Sequence, residues 1–321
     1  MKRRAFVLAL GTLLAPSFAS AQARTVRIGV LAPRQRSLYF PGLIRRLGEA
    51  GYVEGKNLIM DYRSADGVVE RFPVLAGELI LAKCDLIFAL GPVHSARALL
   101  EAKSGVPVVI LAVDYDPVRA GIVSNLRRPG GNVTGMFIPQ PVLAAKRLEL
   151  LREIVPKATR FLVLADPFTK EQLESVSQAA ERLRVKIIAE TFAALPYDLE
   201  SAFARGRAAG AEAVVVLNSP ALADQQAKIV GLAMKHRLPS AGIRGLAAPE
   251  SSYLISYTTN PEKTFTRAGH IAASILKGAK PGDIPVEQET EFELIVNLKT
   301  AKALGISIPP SIVVRADRTI E

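Results

Sequence analysis

The chain has 321 residues, 49% hydrophobic and 22% charged, enough for a globular core and for more than one unit of ordinary domain size. Its net charge of +11 includes Lys2, Arg3 and Arg4, and the remaining basic residues are scattered singly or in pairs such as Arg45-Arg46 and Arg127-Arg128, without aromatic stacking platforms. That distribution argues against a nucleic-acid surface and for a solvated exterior, and Cys84, the single cysteine, excludes an internal disulfide.

The basic start Lys2 to Arg4, the apolar run Ala5 to Leu14 and the small-x-small site Ala19-Ser20-Ala21 form the pattern of a secretory signal peptide over residues 1–21. Arg3-Arg4 also leaves a twin-arginine route open. No later stretch has the uninterrupted apolar length of a membrane helix. The mature protein is therefore expected to be soluble and periplasmic.

Strands are expected over Val26–Leu31, Asn57–Tyr62, Asp85–Leu90 and Val106–Val113, with helices between them over Phe40–Gly51, Val69–Lys83 and Ser95–Lys103. Val113 to Gln140 breaks the rhythm, because Pro117, Gly121, Pro129, Gly130, Gly131 and Gly135 cut it into turns and brief extended pieces. It reads as a crossover between two lobes. Beyond it follow a helix from about Pro141 to Ile154, strands Arg160–Ala165, Val185–Glu190 and Ala213–Leu217, and helices Lys170–Leu183, Leu199–Ala209 and Ala221–His236. A short strand Tyr253–Tyr257, a helix Asn260–Leu276 and a tail, Glu291 to Glu321, with an extended piece, a short helix near Asn297–Leu304 and another extended piece complete the chain.

Short apolar strands alternating with amphipathic helices imply parallel sheets covered on both faces. The fold class is thus α/β: two doubly wound parallel-sheet lobes in series. The first lobe is expected over residues 24–138, with about 257–288 returning to it, and the second over 139–256, completed by about 289–321. Ligands of such sheets bind outside the carboxyl ends of the strands. The loops of interest are therefore Ala32–Tyr39, Gly91–Ser95, Asp114–Pro117, Thr134–Ile138, Asp166–Thr169, Asn218–Ala221 and Ile243–Ala247.

Gly91 to Ser95 joins a strand to a helix start, where free N–H groups and the Ser95 hydroxyl would suit an anion, or would simply cap a turn. Asp114 and Asp116 are candidates to accept hydrogen bonds from a ligand, or to close an Asx turn. Tyr39, Tyr115, Phe168 and Tyr257 are candidate walls for a ligand, with core packing as the alternative. Thr134 and Asn218 are candidate polar contacts, and Arg244 is a candidate partner for a ligand carboxylate. There is no nucleophile elbow, phosphate-binding loop or HExxH, and His94, His236 and His270 fall on separate elements. No catalytic residue, metal or cofactor is assigned.

Several blocks resemble one family. Leu47 to Asn57, Asp116-Pro117-Val118, Arg128 to Gly135, Lys146 to Leu151, Lys235 to Pro239 and Phe292 to Gly305 are similar to the ABC transporter substrate-binding proteins of the tryptophan/tyrosine-binding type. The likeness covers nearly all of the chain beyond the signal sequence. It implies a type I periplasmic binding protein without enzymatic activity, monomeric, that closes by a hinge on a small molecule such as an amino acid or related carboxylate and delivers it to an ABC permease. A binding protein serving a sensor, or an exported enzyme using cleft carboxylates, are the alternatives. Gly91-Pro92 stands where relatives commonly have Gly-Thr, and Tyr115-Asp116-Pro117 where they have Gly-Asp-Pro. Asp166-Pro167 replaces the usual Asn-Pro, and Val30 to Ala50 is about ten residues shorter than in relatives.

Overall fold

The computed structural model of the chain describes residues 24–34, 41–243 and 253–321. The expected signal peptide, Tyr39 and Arg244 lie outside the described residues.

The first sheet contains β1 (Val26–Ala32), β2 (Leu58–Ser64), β3 (Leu86–Gly91), β4 (Val108–Val113), β5 (Val133–Ile138) and the short β11 (Glu287–Gln288), in the order β11-β5-β4-β3-β1-β2 with all neighbours parallel. Side chains alternate across it as a strand dictates. Ile28, Val30, Phe88, Val109 and Met136 pack beneath α1 (Pro41–Glu49) and α9 (Pro261–Leu276). Leu31, Ile87, Val108 and Ile110 face α2 (Phe72–Leu81) and α3 (Val93–Glu101) on the other side.

The second sheet repeats the plan. It is ordered β13-β12-β10-β9-β8-β6-β7 and comprises β6 (Arg160–Ala165), β7 (Lys186–Thr191), β8 (Ala213–Val216), β9 (Ser240–Gly242), β10 (Ile255–Thr259), β12 (Phe292–Asn297) and β13 (Arg318–Ile320). Phe161, Val163 and Val215 lie under α4 (Gln140–Ile154) and α5 (Lys170–Leu183), while Leu162, Leu164 and Val214 lie under α6 (Leu199–Ala208) and α8 (Gln226–Lys235). Its pairs are parallel except β10 with β12, which is antiparallel. That exception arises because β12 enters directly from the first sheet without a crossover helix. The chain passes between the sheets three times, at Pro139 before α4, at Asn260 before α9, and at residues 289–291 before β12.

Three sequence expectations need correction. Val133 to Ile138, read as part of an irregular crossover and as a ligand loop, is the fully buried strand β5. The signal was obscured by Gly135, whose φ of +142° and contact with β4 demand glycine: a Cβ there would lie 2.0 Å from the Ile110 carbonyl oxygen. The helix expected over Ala221–His236 is broken at Gln225 into α7 (Pro220–Asp224) and α8. The last extended piece of the tail contains a helical turn, α11 (Pro310–Arg315), which follows α10 (Leu298–Leu304). Among the described residues no helix is long and apolar enough to cross a membrane.

Gly135→Ala is expected to destabilise the fold by about 3 kcal/mol or more, since the added methyl meets backbone that has no room to yield. Urea unfolding of the two proteins measures it, and a loss under about 1 kcal/mol would contradict the close approach of β4 and β5.

Candidate functional site: a cleft between the two sheets

The carboxyl ends of the two sheets face one another across a cavity of about 250 Å³. The first sheet contributes Ala32, Pro33 and Arg34 after β1, Leu90 to Pro92 after β3, and Val113 and Asp114 after β4. The second contributes Phe168 after β6, Asn218, Pro220, Ala223 and Asp224 after β8, and Ile243 after β9. Ile138 and Gln140, flanking the first crossing, and Thr258 to Phe265, around the second, form the remainder. Most of this wall is apolar.

Gly91 is required where it stands. Its φ is +85°, and a Cβ would press on the Pro33 ring at 3.1 Å, so the βα turn brings backbone to the cavity wall. Across the mouth, Arg34 donates to Asp224 through Nε at 2.9 Å and approaches it through Nη2 at 2.6 Å. This ion pair links β1 of one lobe to α7 of the other. The Tyr62 hydroxyl holds the backbone carbonyl of Arg34.

Asp166 organises the second lobe's share of the wall. Its carboxylate accepts from the Phe168 amide at 3.0 Å, from the Tyr197 hydroxyl at 3.0 Å and from the Ser219 hydroxyl, which itself caps α7 by accepting from the Leu222 amide. Burial pushes the Asp166 carboxyl above its ordinary range, and the Ser219, Phe168 and Tyr197 donors act against that rise. Three loops are thereby tied to one side chain. Asn218 is fixed by a reciprocal pair with Gln172, donating its amide to Oε1 and accepting from Nε2 with its carbonyl, both at 2.8 Å. Gln172 is wholly buried and lay outside the sequence candidates.

Asp114 has the most unusual setting. It adopts φ +69°, in the left-handed region that non-glycine residues seldom occupy, and no protein group donates to its buried Oδ1. Burial pushes its carboxyl up to about 8; Glu171 and Asp166 add to the rise, and Gln172 opposes it. Behind the cavity wall, the wholly buried Arg147 donates to the Gln140 side chain at 2.9 Å and to the Leu143 carbonyl at 3.2 Å. Burial lowers its guanidinium to about 10, while Tyr253 and Asp114 act to raise it.

Of the residues named from sequence, Gly91, Asp114, Phe168 and Asn218 line the cavity. Five others are placed elsewhere, for reasons of local bonding or packing. Ser95 is buried on α3 and donates to the Pro92 carbonyl at 2.9 Å, so the hydroxyl serves its own helix start. Asp116 closes an Asx turn by accepting from the Val118 and Arg119 amides. Tyr115 is buried in the first lobe's core beside Ile122 and Val123. Thr134, in the interior of β5, donates to the Ile284 carbonyl at 2.8 Å. Tyr257 packs between the cores of the two sheets against Phe292. Among the described residues no group of three or more His, Cys, Asp or Glu side chains is placed to hold a metal ion.

The model of the family described as ABC transporter substrate binding protein matches residues 32–320. A curated relative, the tyrosine-binding protein of Clostridioides difficile, is 29% identical over 269 residues, covering 83% of this chain and 76% of the relative. A conserved domain protein from Vibrio cholerae superposes with a TM-score of 0.80 at 27% identity, covering 92% of this chain and 100% of that one. The ABC domain in complex with L-Trp from Streptococcus pneumonia gives a TM-score of 0.78 at 26% identity, with the same coverage. The leucine-binding protein of Thermotoga maritima shares the type I two-lobed fold, at 14% identity and a TM-score of 0.57, and there the likeness extends to the fold alone.

The Asp114 carboxyl carries a definite pH signature. Because its folded pKa lies above the unfolded value, the unfolded chain binds fewer protons between about pH 4 and 8, and stability falls as pH rises through that window. Asp114→Asn should remove this contribution and stabilise the protein by roughly 1–3 kcal/mol at pH 8, with a smaller gain at pH 5. Thermal unfolding of both proteins at the two pH values measures it, and an equal or opposite shift would refute the burial that raises the carboxyl.

Proposed function

Because the chain belongs to the ABC transporter substrate-binding protein family, with the family model spanning residues 32–320, we propose that it captures a small molecule between its lobes and delivers it to an ABC permease. The observation that carries this reading is the cavity itself: both sheets present their carboxyl ends to it, and Arg34 and Asp224 bridge its mouth. Both described walls of the cavity come from one chain, which supports a monomer as the working unit. The solute class is an amino acid or related carboxylate, supported by the tyrosine-binding relative and by the tryptophan complex. The reading assigns no reaction to the site.

Residues 24–138 with 257–288 form one moving body in this reading, and 139–256 with 289–321 the other. The three passages between the sheets are the segments that would bend. A solute touching both walls favours the closed arrangement by its extra contacts there, and the permease recognises that arrangement. The basic, apolar and small-residue succession at the N-terminus supports export to the periplasm.

A thermal-shift screen of the mature protein against amino acids, carboxylates, amines and sugars tests the proposal, since a ligand at a hundredfold excess over its Kd adds about 2.7 kcal/mol of stability. Small-angle scattering should show a decrease in radius of gyration with the same ligand. Arg34→Ala should weaken apparent binding about two- to fivefold while leaving the melting temperature of the unliganded protein nearly unchanged, as expected of a partly exposed ion pair. A ligand that binds without compaction would remove the closure mechanism.

A further inference from the structure

Resting on the solute-binding reading above, we propose that Asp114 is the seat of a protonated amine, so that the solute, an amino acid or related compound in that reading, is selected by its ammonium group together with an apolar body.

The geometry supplies the argument. Asp114 lines the cavity and its Oδ1 is buried without a protein donor, while hydrogen bonding from Gln172 to the carboxyl favours its ionised form. A buried acceptor without a donor is costly, and its most direct compensation is a donor brought by a ligand. The other carboxylate of the wall, Asp224, is already paired with Arg34. Arg34, the sole cation among the described residues lining the cavity, is thus engaged with Asp224. Around these groups stand Pro33, Leu90, Leu111, Ile138, Phe168 and Phe265, which suit a hydrocarbon or aromatic body.

Proton balance follows from the same carboxyl. With its pKa raised by burial to about 8, Asp114 is mostly protonated at pH 7. Seating an ammonium makes the ionised form the favoured one, so the proton leaves to solvent as the R–NH3+···−OOC pair forms. The charged groups facing Asp114 are Glu171 on α5, Asp166 after β6 and Arg147 on α4, with the Arg34–Asp224 pair on the same cavity. Binding of an amine at pH 7 should thus release up to about one proton, and affinity should rise by up to about tenfold per pH unit from about pH 5.5 to 7.5 before levelling near pH 8.

The test is titration calorimetry of the full mature chain with three matched series: primary amines from butylamine to phenethylamine and tryptamine, the corresponding carboxylates, and the corresponding alcohols. Each is measured at pH 6, 7 and 8 in two buffers of different ionisation enthalpy. The expected result is binding of amines at least tenfold tighter than their carboxylate and alcohol counterparts, with proton release at pH 7. Asp114→Asn should lose at least tenfold in amine affinity while unfolding at or above the wild-type temperature, and Asp114→Glu should keep part of it. Carboxylates or alcohols binding as tightly as amines, or amine affinity untouched in Asp114→Asn, would overturn the inference and leave cleft binding standing. Silence of all three series, together with no response in the broad solute screen, would bring down both readings.

Discussion

Strands that are buried on both faces impose the main constraint on this molecule. Each sheet can be covered only if helices lie on either side, and parallel strands force those helices to return every strand to the same starting edge. All carboxyl ends of a lobe therefore collect at one rim. The alternation of Ile28 and Val30 against Leu31 in β1, and of Phe161 and Val163 against Leu162 and Leu164 in β6, shows the same double burial in both lobes. With the chain passing three times between the sheets, the two rims face each other and the cavity is a consequence of that arrangement.

Within the cavity the lobes play different parts. The second lobe's wall is fully tied down, with Asp166 holding the loops of Phe168, Tyr197 and Ser219, and Gln172 holding Asn218. The first lobe's wall carries an unsatisfied acceptor, Asp114 Oδ1, at the end of β4. A satisfied network fixes shape, whereas an unsatisfied buried acceptor stores free energy that a ligand donor can release. The folded protein tolerates that cost because two large cores on each sheet offset it.

The departures from family pattern noted in the sequence gain a physical meaning here. Pro92 follows Gly91 and leaves no N–H at that position, and Ser95 turns its hydroxyl back to the Pro92 carbonyl, so this βα turn offers few donors to an anion. Asp166 in place of the usual asparagine accepts from an amide and two hydroxyls at once, which is what a carboxylate does well. The tyrosine at position 115 fills the first lobe's core and leaves Asp114 as the group that meets the cavity.

Local pattern was enough to reveal the α/β class, the two-lobed order and most strands, because apolar runs of four to eight residues between amphipathic helices leave little other choice. It also picked out the turns after β1, β3, β4, β6 and β8 that reach the cavity, since the rule for parallel sheets places ligands at strand carboxyl ends whatever the sequence. It failed at β5, where proline and glycine punctuation resembles a loop, although Gly135 is there because β4 lies too close for a side chain. It also failed to separate Asp114 from Asp116. Both aspartates sit two residues apart at a strand end, and only the fold turns Asp116 into a turn cap and leaves Asp114 against the cavity. Gln172 and the Asp166 network were beyond reach for a related reason: their partners lie 31 to 53 residues away in the chain. Sequence specifies which elements form, because that is decided by near neighbours. Which side chains are satisfied and which remain open to a ligand depends on contacts between distant segments, and these exist only once the sheets have closed on one another.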